Sequence, residues 1–261
     1  MHHSPPLSLI LLPGMLCDER SWSTVVQDLG PQAQVRTAAY GDLDTIADMA
    51  QSVIATAPAR FAVAGHSMGG RVALEIARAA PDRVIGLALL GSDYRGIDTA
   101  AARDAETAAR AAEVAAARAE GYDHFARSWS RAMLAPACRE GAVADAAAAM
   151  TGGFGLDALA AHGRAGLSRR DYSDLLLRLV YPVLVCGGEH DPLRPPAHQQ
   201  AMAALLPHAR FVMIEGAGHM MMMEKPDQVS RAMRDWLTDV AAHDAVGDAA
   251  SARPVPSAGQ A

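Results

Sequence analysis

Short apolar runs alternate along this chain with segments that carry apolar residues at helical spacing. The run Leu7–Leu12, stopped by Pro13 and Gly14, is typical of a strand that is buried on both faces of a parallel sheet. Residues 45–56 repeat apolar positions every three to four residues, and Asp44 is a candidate N-cap. The pattern predicts strands at 7–12, 35–39, 61–64, 84–90, 182–186 and 211–214, and helices at 45–56, 68–80, 196–206 and 226–240.

This alternation of strand and helix predicts an α/β fold, with a mostly parallel sheet and helices on both of its faces. In such sheets ligands bind beyond the carboxyl ends of the strands. We predict a core from residues 1–96 and 180–240, and a disordered tail from 241–261.

Between residues 97 and 179 the alternation stops, and an alanine-rich stretch indicates an inserted helical region. We expect Gly152-Gly153 and residues 163–166 to break its helices. The predicted helices of this region are 100–119, 122–134, 142–150 and 156–161.

The composition excludes several classes of protein. With 261 residues, 51% hydrophobic and 20% charged, the chain fits one ordinary globular domain rather than a disordered one. A net charge of −6 argues against a nucleic-acid partner. The three cysteines are too few for a disulfide framework, and we find no signal peptide and no apolar run long enough to span a membrane. We therefore expect a cytoplasmic protein.

The sequence Gly65-His66-Ser67-Met68-Gly69 follows a predicted strand and precedes a predicted helix. This is the strand–turn–helix context of a G-x-S-x-G nucleophile elbow, whose sharp turn raises the serine hydroxyl to the top of the sheet. Ser67 is therefore the candidate nucleophile.

A serine nucleophile needs a base that is oriented by a carboxylate. His219 follows the predicted strand 211–214 in a glycine-containing loop and is the first candidate, with His190 as the second. His66 lies in the elbow itself, and we expect it to point away from the base position.

Asp191, after the strand 182–186, is the candidate carboxylate. Its alternatives are Asp93, after the strand 84–90, and Glu189.

An oxyanion that forms during acyl transfer requires backbone N–H donors. Met68, the residue after the nucleophile, is expected to supply one of them. The second is expected from Met15, in the loop after the first strand.

Taken together, these motifs resemble the α/β-hydrolase superfamily. The matching residues are LLPGM (11–15) with Trp22 following, GHSMGG (65–70), GGEHDPLRPP (187–196) and GAGHMMMMEKP (216–226). The resemblance is to small bacterial esterases and C–C hydrolases with a helical cap, pimeloyl-carrier-protein methyl esterases among them. It implies that residues 97–179 form a lid over the site, and that neither a metal nor an organic cofactor is needed. Many members have His-Gly where this chain has Pro13-Gly14, so the oxyanion loop is expected to differ in shape.

The leading hypothesis is a carboxylic ester hydrolase that acts through an acyl-enzyme. One alternative keeps the triad but uses it to cleave a C–C bond, open a lactone or transfer an acyl group. Another is a member of the fold that binds a ligand without catalysis. We expect a small-molecule ester as the partner and a monomer or homodimer. Six arginines of the insertion have two interpretations: they bind an anionic acyl carrier, or they form a helix face that is exposed to solvent. They are Arg127, Arg131, Arg139, Arg164, Arg169 and Arg170.

Methionine is abundant, with thirteen residues, and six of these flank the candidate site. Because methionine side chains are flexible, we expect an apolar and adaptable pocket. The candidate lining residues are Leu16, Tyr94, Phe125, Trp129, Met133, Phe154 and Met220.

Overall fold

A six-stranded parallel sheet forms the centre of the molecule, in a computed structural model that describes residues 6–251, the last five by their backbone alone. The strand order is β2-β1-β3-β4-β5-β6, and β3, β4 and β5 are buried along their whole length. Burial on both faces explains why these strands appear in the sequence as unbroken apolar runs. The strands are β1 Leu7–Leu12, β2 Ala33–Thr37, β3 Phe61–His66, β4 Val84–Leu90, β5 Val183–Gly188 and β6 Ala209–Ile214.

Helices cover both faces of this sheet and form two apolar cores with it. On one face Val53 and Val72 pack from α2 and α3, and on the other Val25 and Trp236 pack from α1 and α11. The predicted α/β architecture is thereby confirmed. The helices of the core are α1 Ser23–Leu29, α2 Ile46–Thr56, α3 Met68–Ala79, α9 Pro196–Ala204, α10 Met221–Glu224 and α11 Pro226–Ser251.

The predicted helical insertion lies between β4 and β5. Its helices form two small apolar cores, in which Phe125 packs with Leu159 and Met133 packs with Met150. Loop residues of the sheet core, among them Leu16 and Met220, complete these two cores. In the part of the chain that the structure describes, no helix has the length and apolar character needed to cross a membrane. The helices of the insertion are α4 Ala100–Glu120, α5 Tyr122–Met133, α6 Ala142–Gly152, α7 Leu156–Leu167 and α8 Ser173–Leu176.

Several predicted boundaries are wrong for identifiable reasons. The N-cap of α2 is Thr45, whose hydroxyl accepts a hydrogen bond from the Asp48 amide, and not Asp44. Helix α7 continues through Gly163 and Gly166 because its buried face, packed against the rest of the insertion, offsets the low helix propensity of glycine. The short helices α1, α8 and α10 were not predicted.

The predicted disordered tail is wrong for residues 241–251, which continue helix α11. Alanines in this stretch have high helix propensity, so the helix extends beyond its last buried apolar turn. The remaining tail residues, 252–261, lie outside the described residues.

Candidate active site

Ser67 occupies the sharp turn between β3 and α3. Its backbone has a φ of 51° and a ψ of −115°, in the region that residues with a side chain rarely adopt. Three hydrogen bonds hold this conformation. The Ser67 amide donates to the Leu90 carbonyl at 2.9 Å, and the Ser67 carbonyl accepts from the Ser92 hydroxyl at 2.8 Å and from the Gly70 amide at 3.0 Å. The turn places Ser67 at the N-terminus of α3 and beyond the carboxyl end of the sheet.

The glycines on either side of the turn are required by close backbone contacts. A Cβ atom on Gly65 would lie 2.3 Å from the Gly69 carbonyl oxygen, and one on Gly69 would lie 2.1 Å from the Leu12 carbonyl oxygen. Neither distance is tolerated, so any other residue at these positions would displace the backbone around Ser67.

His219 lies in the loop after β6 and contacts Ser67. Its Nε2 atom is 2.9 Å from the Ser67 Oγ, while its ring is almost fully buried. Two contacts fix its backbone: the His219 amide donates to the Met133 carbonyl at 2.8 Å, and the His219 carbonyl accepts from His66 Nε2 at 2.9 Å. The insertion and the elbow therefore both hold the loop that carries His219.

Asp191 lies on the other side of the His219 ring, with its Oδ2 atom 2.8 Å from Nδ1. Its Oδ1 atom accepts from the amides of Leu193 and Arg194, each at 2.8 Å. Burial alone would raise the pKa of Asp191, but the His219 contact and the two amide donors outweigh it and hold the pKa below its usual range. Asp191 is thus an ionised carboxylate at neutral pH.

The alternatives to this pair lie elsewhere. Asp93 receives hydrogen bonds from Arg95, and Glu189 accepts from the Gly216 amide at 2.8 Å. His190 is half-exposed, and its nearest carboxylate is that of Glu189, at 3.9 Å. In the described part of the chain, none of the three forms a hydrogen bond or ion pair with Ser67 or His219.

Met15 and Met68, the expected oxyanion donors, line one cavity with Ser67 and His219. Neither amide has a hydrogen-bond acceptor among residues 6–251. The next residue, Leu16, has a positive φ of 54°, and its amide donates to His162 Nδ1 at 3.2 Å. This turn anchors the loop that follows β1.

The cavity has a volume of about 490 Å³ and lies between the sheet and the insertion. Trp129, Met133 and Met220 line it as expected. The other four expected lining residues do not, because they fill apolar cores: Leu16, Phe125 and Phe154 pack inside the insertion and Tyr94 packs against the sheet core.

The cavity wall is far more charged than the expected apolar pocket. Five arginines and four carboxylates line it. All of them except Arg71 come from the insertion or from the loops that follow β4 and β5. Of the six arginines considered for a carrier, Arg169 alone lines the cavity, while Arg131 and Arg164 form surface ion pairs with Glu140 and Asp44.

Sequence reasoning missed three residues at this site. His66 contacts the His219 ring at a centroid distance of 4.8 Å instead of pointing away from it. Glu224 is buried, and its Oε2 atom accepts from the amides of Ala135 and Gly218 at 2.8 and 3.0 Å.

Arg71, one turn after Ser67, is a buried cavity residue. The local signal for Arg71 was a basic residue at the fourth position after Ser67, among the glycine and apolar residues of the first two turns of α3.

Chemically, the arrangement offers a hydroxyl, an imidazole and an ionised carboxylate in a hydrogen-bonded series. Beside them lie the amides of Met15 and Met68, for which the described residues supply no acceptor. Among residues 6–251 there is no group of three or more His, Cys, Asp or Glu side chains that could hold a metal ion. The contacts between Ser67, His219 and Asp191 are suited to acid–base and nucleophilic chemistry by side chains.

Comparisons with known proteins agree with this architecture. A family model described as alpha/beta hydrolase fold matches residues 12–226. The pimeloyl-[acyl-carrier protein] methyl ester esterase of Xanthomonas campestris pv. campestris (strain B100) is 29% identical over 258 residues, which cover 90% of this chain and 96% of that protein. The protein of the same name from Aliivibrio salmonicida is 27% identical over 245 residues, covering 88% and 91%. Among solved structures, a thermophilic esterase from Thermogutta terrifontis superposes with a TM-score of 0.77 at 27% identity, covering 91% of each chain.

Proposed function

Because the chain belongs to the alpha/beta hydrolase family, we propose that it is a serine esterase in which Ser67, His219 and Asp191 form the catalytic triad. The observation that carries the proposal is the series of two short contacts, 2.9 Å from Ser67 Oγ to His219 Nε2 and 2.8 Å from His219 Nδ1 to Asp191 Oδ2. Distances in this range permit proton transfer along the series.

In the acylation step, Ser67 Oγ attacks the ester carbonyl carbon while His219 Nε2 takes the hydroxyl proton. Asp191 keeps the Nδ1–H tautomer in place and stabilises the imidazolium that forms. The amides of Met15 and Met68 donate to the oxyanion, a role supported by the finding that no residue in the described part of the chain accepts from them. Collapse of the tetrahedral species breaks the ester C–O bond, and His219 returns the proton to the departing alcohol.

In the second half of the reaction, water attacks the acyl group on Ser67. His219 takes a proton from this water, the bond between the acyl carbon and Oγ breaks, and the proton returns to Ser67. The products are a carboxylic acid and the free enzyme, so no further reactant is needed.

For the substrate, we propose an ester of a small alcohol. The names of the relatives, methyl ester esterases of a carrier-bound acyl group, support this choice. A series of methyl esters with increasing acyl length tests whether an acyl carrier is involved as well: preference for short acyl chains would argue against a carrier-bound substrate.

We further propose that the inserted region acts as a lid. Its helices α4, α5 and α7 supply Glu106, Trp129 and His162 to the cavity wall, and the Met133 carbonyl accepts from the His219 amide. Entry to Ser67 then depends on this region.

The direct test is turnover of p-nitrophenyl acetate by the wild type and by Ser67→Ala and His219→Ala. Each substitution should lower kcat by at least about 10³-fold, because each removes a member of one chemical unit. A wild type without turnover, or an unaffected Ser67→Ala variant, would contradict the proposal.

A further inference from the structure

Arg71 has an unusual environment for an arginine. It lies one turn after Ser67 on α3, lines the same cavity, and is only 7% exposed. Within the part of the chain that the structure describes, its guanidinium makes neither a hydrogen bond nor an ion pair. A buried charge without a partner is costly, so proteins rarely keep one without a function for it.

The neighbouring arginines of the cavity are paired. Arg169 Nη2 lies 2.6 Å from a Glu106 carboxylate oxygen, and Arg110 Nη1 lies 2.9 Å from one of Glu113. The remaining two share one carboxylate, since Asp93 lies 3.1 Å from Arg95 and 3.9 Å from Arg194.

The carboxylates nearest to Arg71 are therefore already engaged. Asp93 and Glu106 are close enough to favour its charged form, but burial and the charges of Arg169 and Arg194 prevail and lower the pKa of Arg71 to about 9. At neutral pH the side chain is still a cation. Arg71 thus gives the cavity wall a positive charge that has no ion-pair partner among the described residues.

The position of Arg71 relative to Ser67 defines what this charge can do. Ser67 lies in the turn directly before α3 and Arg71 is the fourth residue of that helix, and both line one cavity. One small molecule in the cavity can therefore contact both. The planar guanidinium fork matches a carboxylate, with which it forms two parallel hydrogen bonds.

We propose that Arg71 binds a free carboxylate on the acyl portion of the substrate, so that the preferred substrates are monoesters of short dicarboxylic acids. This inference rests on the proposed esterase function, since it assumes that the ester carbonyl lies at Ser67. The carboxylate supplies the counter-charge that Arg71 lacks and orients the acyl chain along α3.

The test compares the monomethyl esters of succinate, glutarate and adipate with the corresponding dimethyl esters, which are neutral. The wild type should favour the anionic esters in kcat/KM by about 10- to 100-fold, the range expected of a hydrogen-bonded charge pair. Arg71→Gln should abolish this preference, mainly through KM, and Arg71→Lys should restore part of it. Arg118→Gln, which removes an exposed arginine of α4 outside the cavity, is the charge-matched control and should keep the preference.

A binding measurement separates this inference from the proposed function. Adipate should bind to Ser67→Ala in a calorimetric titration, and the Ser67→Ala/Arg71→Gln double variant should bind it at least about 10-fold more weakly. Equal kcat/KM for anionic and neutral esters, or unchanged adipate binding in the double variant, would overturn the role of Arg71 even if the triad is correct. Binding of inorganic phosphate without binding of adipate would overturn the choice of a carboxylate.

Discussion

The ring of His66 donates a hydrogen bond of 2.9 Å from Nε2 to the backbone carbonyl of His219. The residue that precedes the proposed nucleophile therefore supports the residue that contacts it. Burial, with a smaller contribution from the charge of His219, lowers the pKa of His66 to about 3. His66 is consequently neutral at ordinary pH, and because a carbonyl can only accept, its single proton is on Nε2.

We expect His66 to be a positioning residue. His66→Phe keeps a planar ring but loses the N–H donor, so the His219 loop should move and kcat should fall by about 10-fold, a typical consequence of misplaced catalytic groups. His66→Gln can still donate an N–H and should retain most of the activity.

Two readouts separate positioning from stability. Both variants should show similar melting temperatures, and the acid limb of the pH–rate profile should shift in His66→Phe alone. A His66→Phe variant with wild-type kcat would show that the hydrogen bond does not matter to His219.

Asp191→Asn should lower kcat/KM by about 10³- to 10⁴-fold, because an amide can stabilise the wrong tautomer of His219 and cannot offset an imidazolium charge. Glu189→Gln is the matched control, since Glu189 lies in the same loop and its carboxylate binds the Gly216 amide instead. It should change kcat/KM less than about 3-fold. A larger loss in Glu189→Gln than in Asp191→Asn would reverse the assignment of the carboxylate.

Glu224 connects the insertion to the His219 loop through two amides, and its burial raises the pKa of its carboxyl above 4.5. The folded protein thus binds this proton more tightly than the unfolded chain does. Its stabilising contribution is present below pH 4.5 and is lost as the pH rises through the raised pKa.

Glu224→Gln should remove this pH dependence while the amide oxygen still accepts from Ala135 and Gly218. The difference in free energy of unfolding between variant and wild type should move in favour of the variant as the pH rises from 4.5, by at most about 1.4 kcal/mol per pH unit. Urea denaturation of both proteins at several pH values measures this. A constant difference between pH 4 and pH 8 would argue against a buried, titrating Glu224.

The strands and the elbow were predictable because each is determined by a short stretch of sequence. Strands buried on both faces must be apolar throughout, and the elbow requires Gly65 and Gly69 at fixed spacing from Ser67. His219 and Asp191 were found because side chains after the strands of a parallel sheet meet at one edge. Their proposed roles remain predictions.

The features that the sequence did not predict depend on contacts between segments that lie far apart along the chain. Helix α7 passes through Gly163 because its buried face packs within the insertion, which no local signal reveals. That Arg71 has no ion-pair partner among residues 6–251 is visible only once Glu106 and Glu113 of α4 are seen to bind other arginines. The aromatic residues of the insertion were expected in the pocket because sequence alone does not distinguish a cavity wall from a small apolar core.

The assignment of Ser67 as the nucleophile underlies every other proposed role, and covalent labelling tests it directly. A fluorophosphonate probe should modify the wild type once, and peptide mass spectrometry should locate the adduct on Ser67, with loss of ester turnover in proportion to labelling. Ser67→Ala should neither label nor turn over ester. An adduct on another residue, or full turnover by the labelled enzyme, would contradict the account.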